Sequence, residues 1–545
     1  MVQKTANITR HCEEPRRGDE ANSLLARRLL RALRALAMTV FVLGISVCPA
    51  FAESSVNIPV HHWAYDALDT LAINGLADSC GLTTKPITRM DAARMIETAI
   101  YRIQDKKVEF SPFNENRISR LEDMLDKLIK EFRPELLELG VTSAAENDAP
   151  AKNLRFKLAD PIYTQSIYAN VKKTGDMLYE NQRGLHLKDG LNYKMRIAGW
   201  VEYDNFLAIA LEPAIKFAKD TKDFYIETGY VKLSYWNIEI EAGRDTLWWG
   251  PGYHGSMLLS DNTYPLDLVK IKSAHPFMLP WEKLGKWNVD FFVAQLDKKR
   301  DYPRANLGGL RLECAPYDRL TLGFSRTAIF GGEGRPHLGV KNYWDIFWAR
   351  GELSQDVSKN ASNQLSSVDF KLNIFDNLQF YGEWAGEDKF APWENESPGF
   401  LAGLFVSDLF NMRSLDYRME YARNDAAWYT HGIYTTGYKY KGNIIGHHMG
   451  GDAQDLFMRI SRNFSENQDY FESFTLGGEF DYEQHGRTLA YPEDKYEVAI
   501  DGIFYLSGSK SARLMLKRQE YRNFENVSGT KAYNNIFEAE ANIKF

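Results

Sequence analysis

The 545-residue chain carries 66 Lys and Arg against 73 Asp and Glu, a net charge of −7, with 29 Tyr, 31 Phe and 12 Trp. Its mean hydropathy of −0.41 excludes a helical membrane bundle, and its acidic balance argues against nucleic acid as a partner. A β-barrel stays possible, because its lipid face is hidden in alternation and its aromatic girdles account for 13% aromatic residues. The length exceeds that of a usual single domain.

Arg27, Arg28, Arg31 and Arg34 precede an apolar run from Leu36 to Val47, and Ala50-Phe51-Ala52 follows as a small-x-small cleavage pattern before Glu53. This reads as a secretory signal peptide over 1–52, with an apolar run too short to span a bilayer comfortably. The segment holds eight basic and four acidic residues, so the remainder carries −11, the −7 of the whole less +4. No later run of about 18 apolar residues occurs, so no transmembrane helix is expected. Of the four cysteines, Cys12 and Cys48 fall in the signal segment; Cys80 and Cys314 are expected in different domains as structural thiols.

Residues 53–105 predict a small helical module. Trp63, Ala67, Leu68, Leu71 and Leu76 have helical spacing, and a turn with Gly81 and Pro86 follows. Thr88 then reads as an N-cap with Asp91 three positions on, a capping box, and Ala92, Met95, Ile96 and Ala99 form the next apolar stripe. His62-Trp63-Ala64-Tyr65, Gly75-Leu76 and Ile87-Thr88-Arg89-Met90-Asp91 resemble an S-layer homology module. The resemblance implies a periplasmic contact with peptidoglycan or another wall glycan. Trp63, Thr88, Arg89 and Asp91 are its expected cell-wall-binding residues, an Arg beside a helix N-terminus being a ready anion site. The alternative is that Thr88 only caps and Arg89 is solvated.

Residues 106–152 predict a heptad-like helix and a linker. Ile118, Leu121, Leu125, Leu128 and Phe132 follow an a/d pattern. Such a helix either trimerises as a short coiled coil or packs beneath a barrel. Pro134 interrupts it, Leu136, Leu137 and Leu139 suggest a continuation, and 142–152 reads as the linker.

From 153 to 545 the period becomes two. Met195, Ile197, Val201 and Tyr203 alternate with Arg196, Ala198, Trp200 and Glu202. Leu415, Tyr417, Met419 and Tyr421 alternate with Asp416, Arg418 and Glu420; Val498, Ile500, Phe504 and Leu506 oppose Glu497 and Asp501. This is the pattern of an antiparallel sheet with one apolar face. The ending, with Phe537, Ala539, Ala541, Ile543 and Phe545 on one face, resembles the terminal strand of outer-membrane barrels, which the barrel-insertion machinery reads. The fold expected is mainly β: an antiparallel outer-membrane barrel of about 16–18 strands, preceded by the α-helical module and the heptad-like helix.

Two stretches carry a more specific likeness: Gly243-Arg244-Asp245-Thr246-Leu247-Trp248-Trp249-Gly250-Pro251-Gly252, with Gly255–Ser260 and Pro265 beyond it, and Tyr440–Ala453 with its His447-His448 pair. With the terminal strand, they resemble the capsule-assembly Wzi family over most of 155–545. The resemblance implies a barrel of about 18 strands that acts as a lectin-like surface protein, helping to attach or organise capsular or other exported polysaccharide. Chemistry points to candidate polysaccharide-binding residues in the first stretch. Sugars stack on aromatic faces and satisfy their hydroxyls on polar groups, and Arg244, Trp248, Trp249, Tyr253 and His254 supply both. On a strand, the two tryptophans would face opposite sides, one lipid and one lumen; the plainer reading makes Gly250-Pro251-Gly252 a rigid turn and the pair a girdle.

No G-x-S-x-G, H-E-x-x-H or Walker loop occurs, so no enzyme is expected. Glu383, Glu387 and Asp388 offer a carboxylate cluster of the kind glycoside hydrolysis uses, and Ser256 near His254 a weak Ser–His pair; neither is preferred to polar lining of an acidic lumen. No cofactor is expected and no metal, since on a strand His447 and His448 diverge and a shared ion would need a third ligand such as Asp452. The expected partners are exported polysaccharide, wall glycan, outer-membrane lipid and the insertion machinery. The alternative function is a wall-anchored porin for small solutes.

Overall fold

The computed structural model describes residues 54–104, 115–141, 154–171, 181, 183–280, 282–348, 362–394, 398–465, 471–506 and 510–544. The expected signal peptide, the 142–152 linker and Phe545 lie outside the described residues.

Alternation closes the chain on itself. Eighteen antiparallel strands run from Leu154–Asn170 to Lys531–Ile543, each hydrogen-bonded to its neighbours in sequence, and the last pairs with the first from Ile162↔Ile543 to Asn170↔Asn535. The Leu266–Ser273 strand is broken once and resumes as Phe277–Met278 along the same neighbour. Closure leaves no unpaired edge.

Side chains divide as the two-residue period requires. Val498 and Ile500 point outward, 54% and 65% exposed, while Glu497 and Asp501 on either side of them are buried in the lumen. The outer surface is an apolar belt that only lipid covers without cost. Three long connections, 246–265, 331–361 and 425–452, leave one end of the barrel. At the other end, most links are short, and Tyr203, Tyr235, Trp236, Tyr317, Phe375 and Phe410 stand exposed as an aromatic girdle.

The lumen is filled from both ends. Helices α1 (Ala64–Ile73), α2 (Arg89–Gln104), α3 (Glu115–Glu131) and α4 (Arg133–Glu138) enter from the short-turn end and share one apolar core of Leu68, Leu71, Met90, Ile96, Leu121, Leu128, Phe132 and Leu136. The expected module and heptad helix are therefore packed as one body. The a/d stripe of α3 is spent on α1 and α2, which favours packing beneath the barrel over trimerisation. Pro134 opens α4, where its missing N–H costs nothing. This body is held by wall residues spread around the barrel. Asp69 pairs with Lys371 at 2.7 Å, Ser79 with Thr321 at 2.7 Å, and Arg120 with Asp416 at 2.6 Å.

From the opposite end, connections 246–265 and 425–452 fold inward. Leu247, Trp249, Met257, Leu258, Trp428, Tyr429, Tyr438, Ile445 and Met449 form an apolar core against Phe292, Leu307, Tyr381 and Leu401 of the wall. Plug and loops meet where Thr84–Lys85 pairs antiparallel with Trp248–Trp249.

Candidate functional site

The Trp248-Trp249 pair sits where plug, loop and wall converge. It lies on a two-residue strand outside the barrel sheet, so neither ring faces lipid. This corrects the opposite-faces expectation: both side chains are buried, 5% and 0% exposed. Trp249 meets Phe292 edge-on at 5.2 Å, and Lys85 Nζ lies 5.7 Å from the Trp248 ring. The turn after them is as tight as its glycines suggest. Gly250 has φ +127°, and a Cβ on Gly252 would stand 1.9 Å from the Gly255 carbonyl.

The expected polysaccharide-binding residues are not brought together on an accessible surface. Arg244 points outward beside Ile240 and Ala242, with Nε and Nη2 donating to Asp267 at 2.6 and 2.8 Å and Nη1 to the Ile226 carbonyl at 2.9 Å. Tyr253 and His254 point into the lumen. The Arg418 guanidinium lies 4.2 Å above the Tyr253 ring, and His254 stacks on Phe457 at 4.0 Å. Burial, and then the adjoining His448 and His447, hold His254 well below its ordinary imidazole pKa.

The loops are held by carboxylates of the wall. Glu420 accepts three successive backbone N–H groups, from Tyr253, His254 and Gly255, at 2.7, 3.1 and 3.2 Å. Glu383 accepts from Met257 N–H at 3.1 Å and Glu387 from Tyr429 N–H at 2.6 Å. Glu383 and Glu387 of the cluster considered for glycoside hydrolysis thus supply acceptors to inserted backbone. Ser256 Oγ donates to the Trp249 carbonyl, not to His254.

The expected wall-binding residues Trp63, Thr88, Arg89 and Asp91 make contacts within the lumen-filling body and between it and the barrel. The capping box is present: Asp91 N–H donates to Thr88 Oγ1 at 3.0 Å, and Thr88 N–H to Asp91 Oδ2 at 3.3 Å. Asp91 also pairs with His275 at 2.9 Å. Arg89 is neither solvated nor poised for a ligand. It pairs with Glu131 at 2.9 Å and Glu135 at 2.7 Å and lies over the Phe132 ring at 4.6 Å. Trp63 caps α1 without a side-chain hydrogen bond and packs against the shared helical core. Burial opposes it, but Lys544 and Arg89 hold the Glu131 carboxyl well below its ordinary range.

His447 and His448 lie in a turn, so they do not diverge as strand neighbours would; their rings stack at 4.6 Å. Asp452 is not beside them but accepts from the Thr488 hydroxyl at 2.7 Å. Instead Asp455, on the Ala453–Ser465 strand, faces both histidines and His254. A sequence reading misses Asp455 because nothing local tells which inward carboxylate a distant loop will reach. Cys80 and Cys314 are free thiols.

Residues 163–536 match the family described as capsule assembly protein Wzi. Over 191 residues the chain is 32% identical to an uncharacterized 55.8 kDa protein in the cps region of Klebsiella pneumoniae, covering 33% of this chain and 37% of that relative. The match thus spans little more than a third of the relative's length. Among solved structures, the fold is similar to Wzi of Escherichia coli, described as an outer membrane protein involved in group 1 capsule assembly and a carbohydrate-binding β-barrel. The TM-score is 0.65 at 18% identity, covering 91% of this chain and 100% of that one. OpdQ of Pseudomonas aeruginosa aligns at a TM-score of 0.45 and 8% identity, over 71% of this chain and 97% of its own. The family match covers more than half of the 545 residues, and the chain belongs to the capsule assembly protein Wzi family.

Proposed function

We propose that this protein is an outer-membrane barrel that binds exported polysaccharide on its outward loops and holds it at the cell surface. One observation carries the reading: the lumen is packed with helices and loops, so the barrel offers the outside a closed face and not a path. Wzi of Escherichia coli is described as carbohydrate-binding and involved in capsule assembly, and the same role is proposed for this chain.

The buried tryptophan pair is not available to a glycan, so recognition is assigned to aromatics at the long-loop end. Tyr343 and Trp344, on helix α5 (Val340–Phe347), are 52% and 46% exposed. Nearby in sequence, Arg335 lies over the Tyr302 and Tyr434 rings at 5.2 and 5.4 Å. Such faces stack on sugar rings while charged neighbours take hydroxyls or acidic substituents. Detergent-purified protein is expected to retain capsular polysaccharide from the same cells, and Trp344→Ala with Tyr343→Ala to weaken retention about tenfold, the scale of one lost stacking contact. Deletion of the gene is expected to raise shed polysaccharide without lowering total synthesis. Unchanged retention by the double variant would remove the α5 assignment; unchanged shedding would remove the assembly role.

The N-terminal helices are proposed as a lumen plug in preference to a wall tether, because Arg89 and Asp91 are committed to protein partners. The full chain is expected not to co-sediment with isolated peptidoglycan. Co-sedimentation that Arg89→Ala abolishes would restore the tether.

A further inference from the structure

At the long-loop end, imidazoles from both inserted connections converge on one wall carboxylate. Asp455 Oδ2 lies 3.6 Å from His254 Nε2, 3.5 Å from His448 Nε2 and 3.8 Å from His447 Nε2. The side chains of His447, His448 and Asp455 are 1–2% exposed. Among the described residues, neither the Nε2 of His254 nor that of His447 has a hydrogen-bond partner, while Asp455 has the Asp481 carboxyl, and His448 the Glu483 carboxyl, beside it. No lysine or arginine among the described residues forms an ion pair with Asp455, whereas Lys495 is bonded to the adjoining Asp481 and Glu483 at 3.0 and 2.8 Å.

Those spacings decide between two ways of satisfying the atoms. Direct N–H···O bonds to a carboxylate close to about 2.7–2.9 Å, well inside 3.5–3.8 Å. Two donors on one tetrahedral zinc ion, each about 2.0–2.1 Å from the metal, stand roughly 3.4 Å apart. The donor types agree, since imidazole with carboxylate suits borderline divalent d-block ions. Ligand atoms of His254, His448 and Asp455 all lie within 4.8 Å of one another. Glu483 Oε1, 3.6 Å from His448 Nε2, already accepts from Lys495 at 2.8 Å and is not counted among the ligands. His447 has a different part. Its Nδ1 receives the Met449 N–H at 3.4 Å, which leaves the ring proton on Nε2; at 3.8 Å from Asp455 it lines the site and is not one of its ligands.

We propose that His254, His448 and Asp455 form a binding site for a divalent transition-metal ion, zinc foremost. The ion staples connections 246–265 and 425–452 to the Ala453–Ser465 strand. Its role is structural: the 246–265 connection is fixed to the 425–452 connection and the strand that follows it, some 200 residues on, and the filled lumen is stabilised by ligand binding to the folded state alone.

The test uses the full chain in detergent, stripped with EDTA and then supplied with Zn²⁺ or Co²⁺. Elemental analysis after desalting is expected to give one zinc per wild-type chain, with a rise in Tm over the stripped protein. His448→Gln and Asp455→Asn are expected to lower zinc affinity at least tenfold while keeping the heat-modifiable mobility of a folded barrel. Should either variant fail to fold, cobalt in the wild-type protein decides: a visible d–d absorption band of a low-symmetry His-ligated site supports the proposal. Absence of that band, or equal zinc uptake by wild type and variants, would show that protons and not a metal occupy these groups.

Discussion

At the level of single residues, the acidity of the chain becomes structural. Strand alternation points Glu202, Glu313, Glu383, Glu387 and Glu420 inward, and each accepts a backbone N–H from a segment filling the lumen. Buried amides without sheet partners need acceptors, and a ring of carboxylates supplies them at any register the loops require. Glu420→Gln keeps the shape but removes the charge from three such bonds. It is expected to cost about 1.5–3 kcal/mol, read as a lower Tm with the barrel intact. Gly252→Ala would place its Cβ against the Gly255 carbonyl and is expected to disorder the 246–265 connection, seen as new protease cleavage there. The tight turn was legible from Gly250-Pro251-Gly252. The burial of Trp248 and Trp249 was not, because adjacent aromatics look alike in a girdle, a sugar cleft and a core.

Among elements, helices and caps were read most directly, since their signals are local. The Thr88–Asp91 box, the Ala92, Met95, Ile96 and Ala99 stripe, and the restart at Pro134 all appear as the sequence suggests. What the stripes face was not local. Arg89 links α2 to α3 and α4 through Glu131 and Glu135, and removing one member of such a buried pair typically costs about 3–5 kcal/mol. Arg89→Ala is expected to loosen the plug by that order, measured as faster proteolysis of 54–141 in folded barrels. Acid should act alike. Burial, and then the Lys544 ammonium, push His62 from its ordinary 6.5 down to about 3. With Glu131, Arg89 and His61 also facing it, the folded plug refuses a proton that the released chain takes. Its contribution is full above 6.5 and declines as pH falls from there toward 3. Plug release is therefore expected to increase between pH 6.5 and 4, and His62→Gln to flatten that part of the profile.

For the molecule as a whole, the filled lumen predicts that full-length protein in planar bilayers shows no steady conductance. Large, stable open steps would contradict the packing of plug against loops and favour the porin alternative. Two-residue alternation over some 390 residues, interrupted by turns, determined an antiparallel sheet with one apolar face, and the resemblance of its last strand to those of outer-membrane barrels pointed to closure. The period sets which side chains face lipid, and about 20–24 residues per strand and link bounds the strand number at about 16–18. Helical spacing, the capping box and Pro134, signals just as local, determined the N-terminal helices. Only the tertiary structure decided where those helices go and which loops turn inward. Those choices rest on pairs such as Asp69–Lys371, Thr84–Trp249 and His254–Asp455. Their members are far apart in the chain, and each is in composition an ordinary polar or aromatic residue until the closed wall brings its partner within reach.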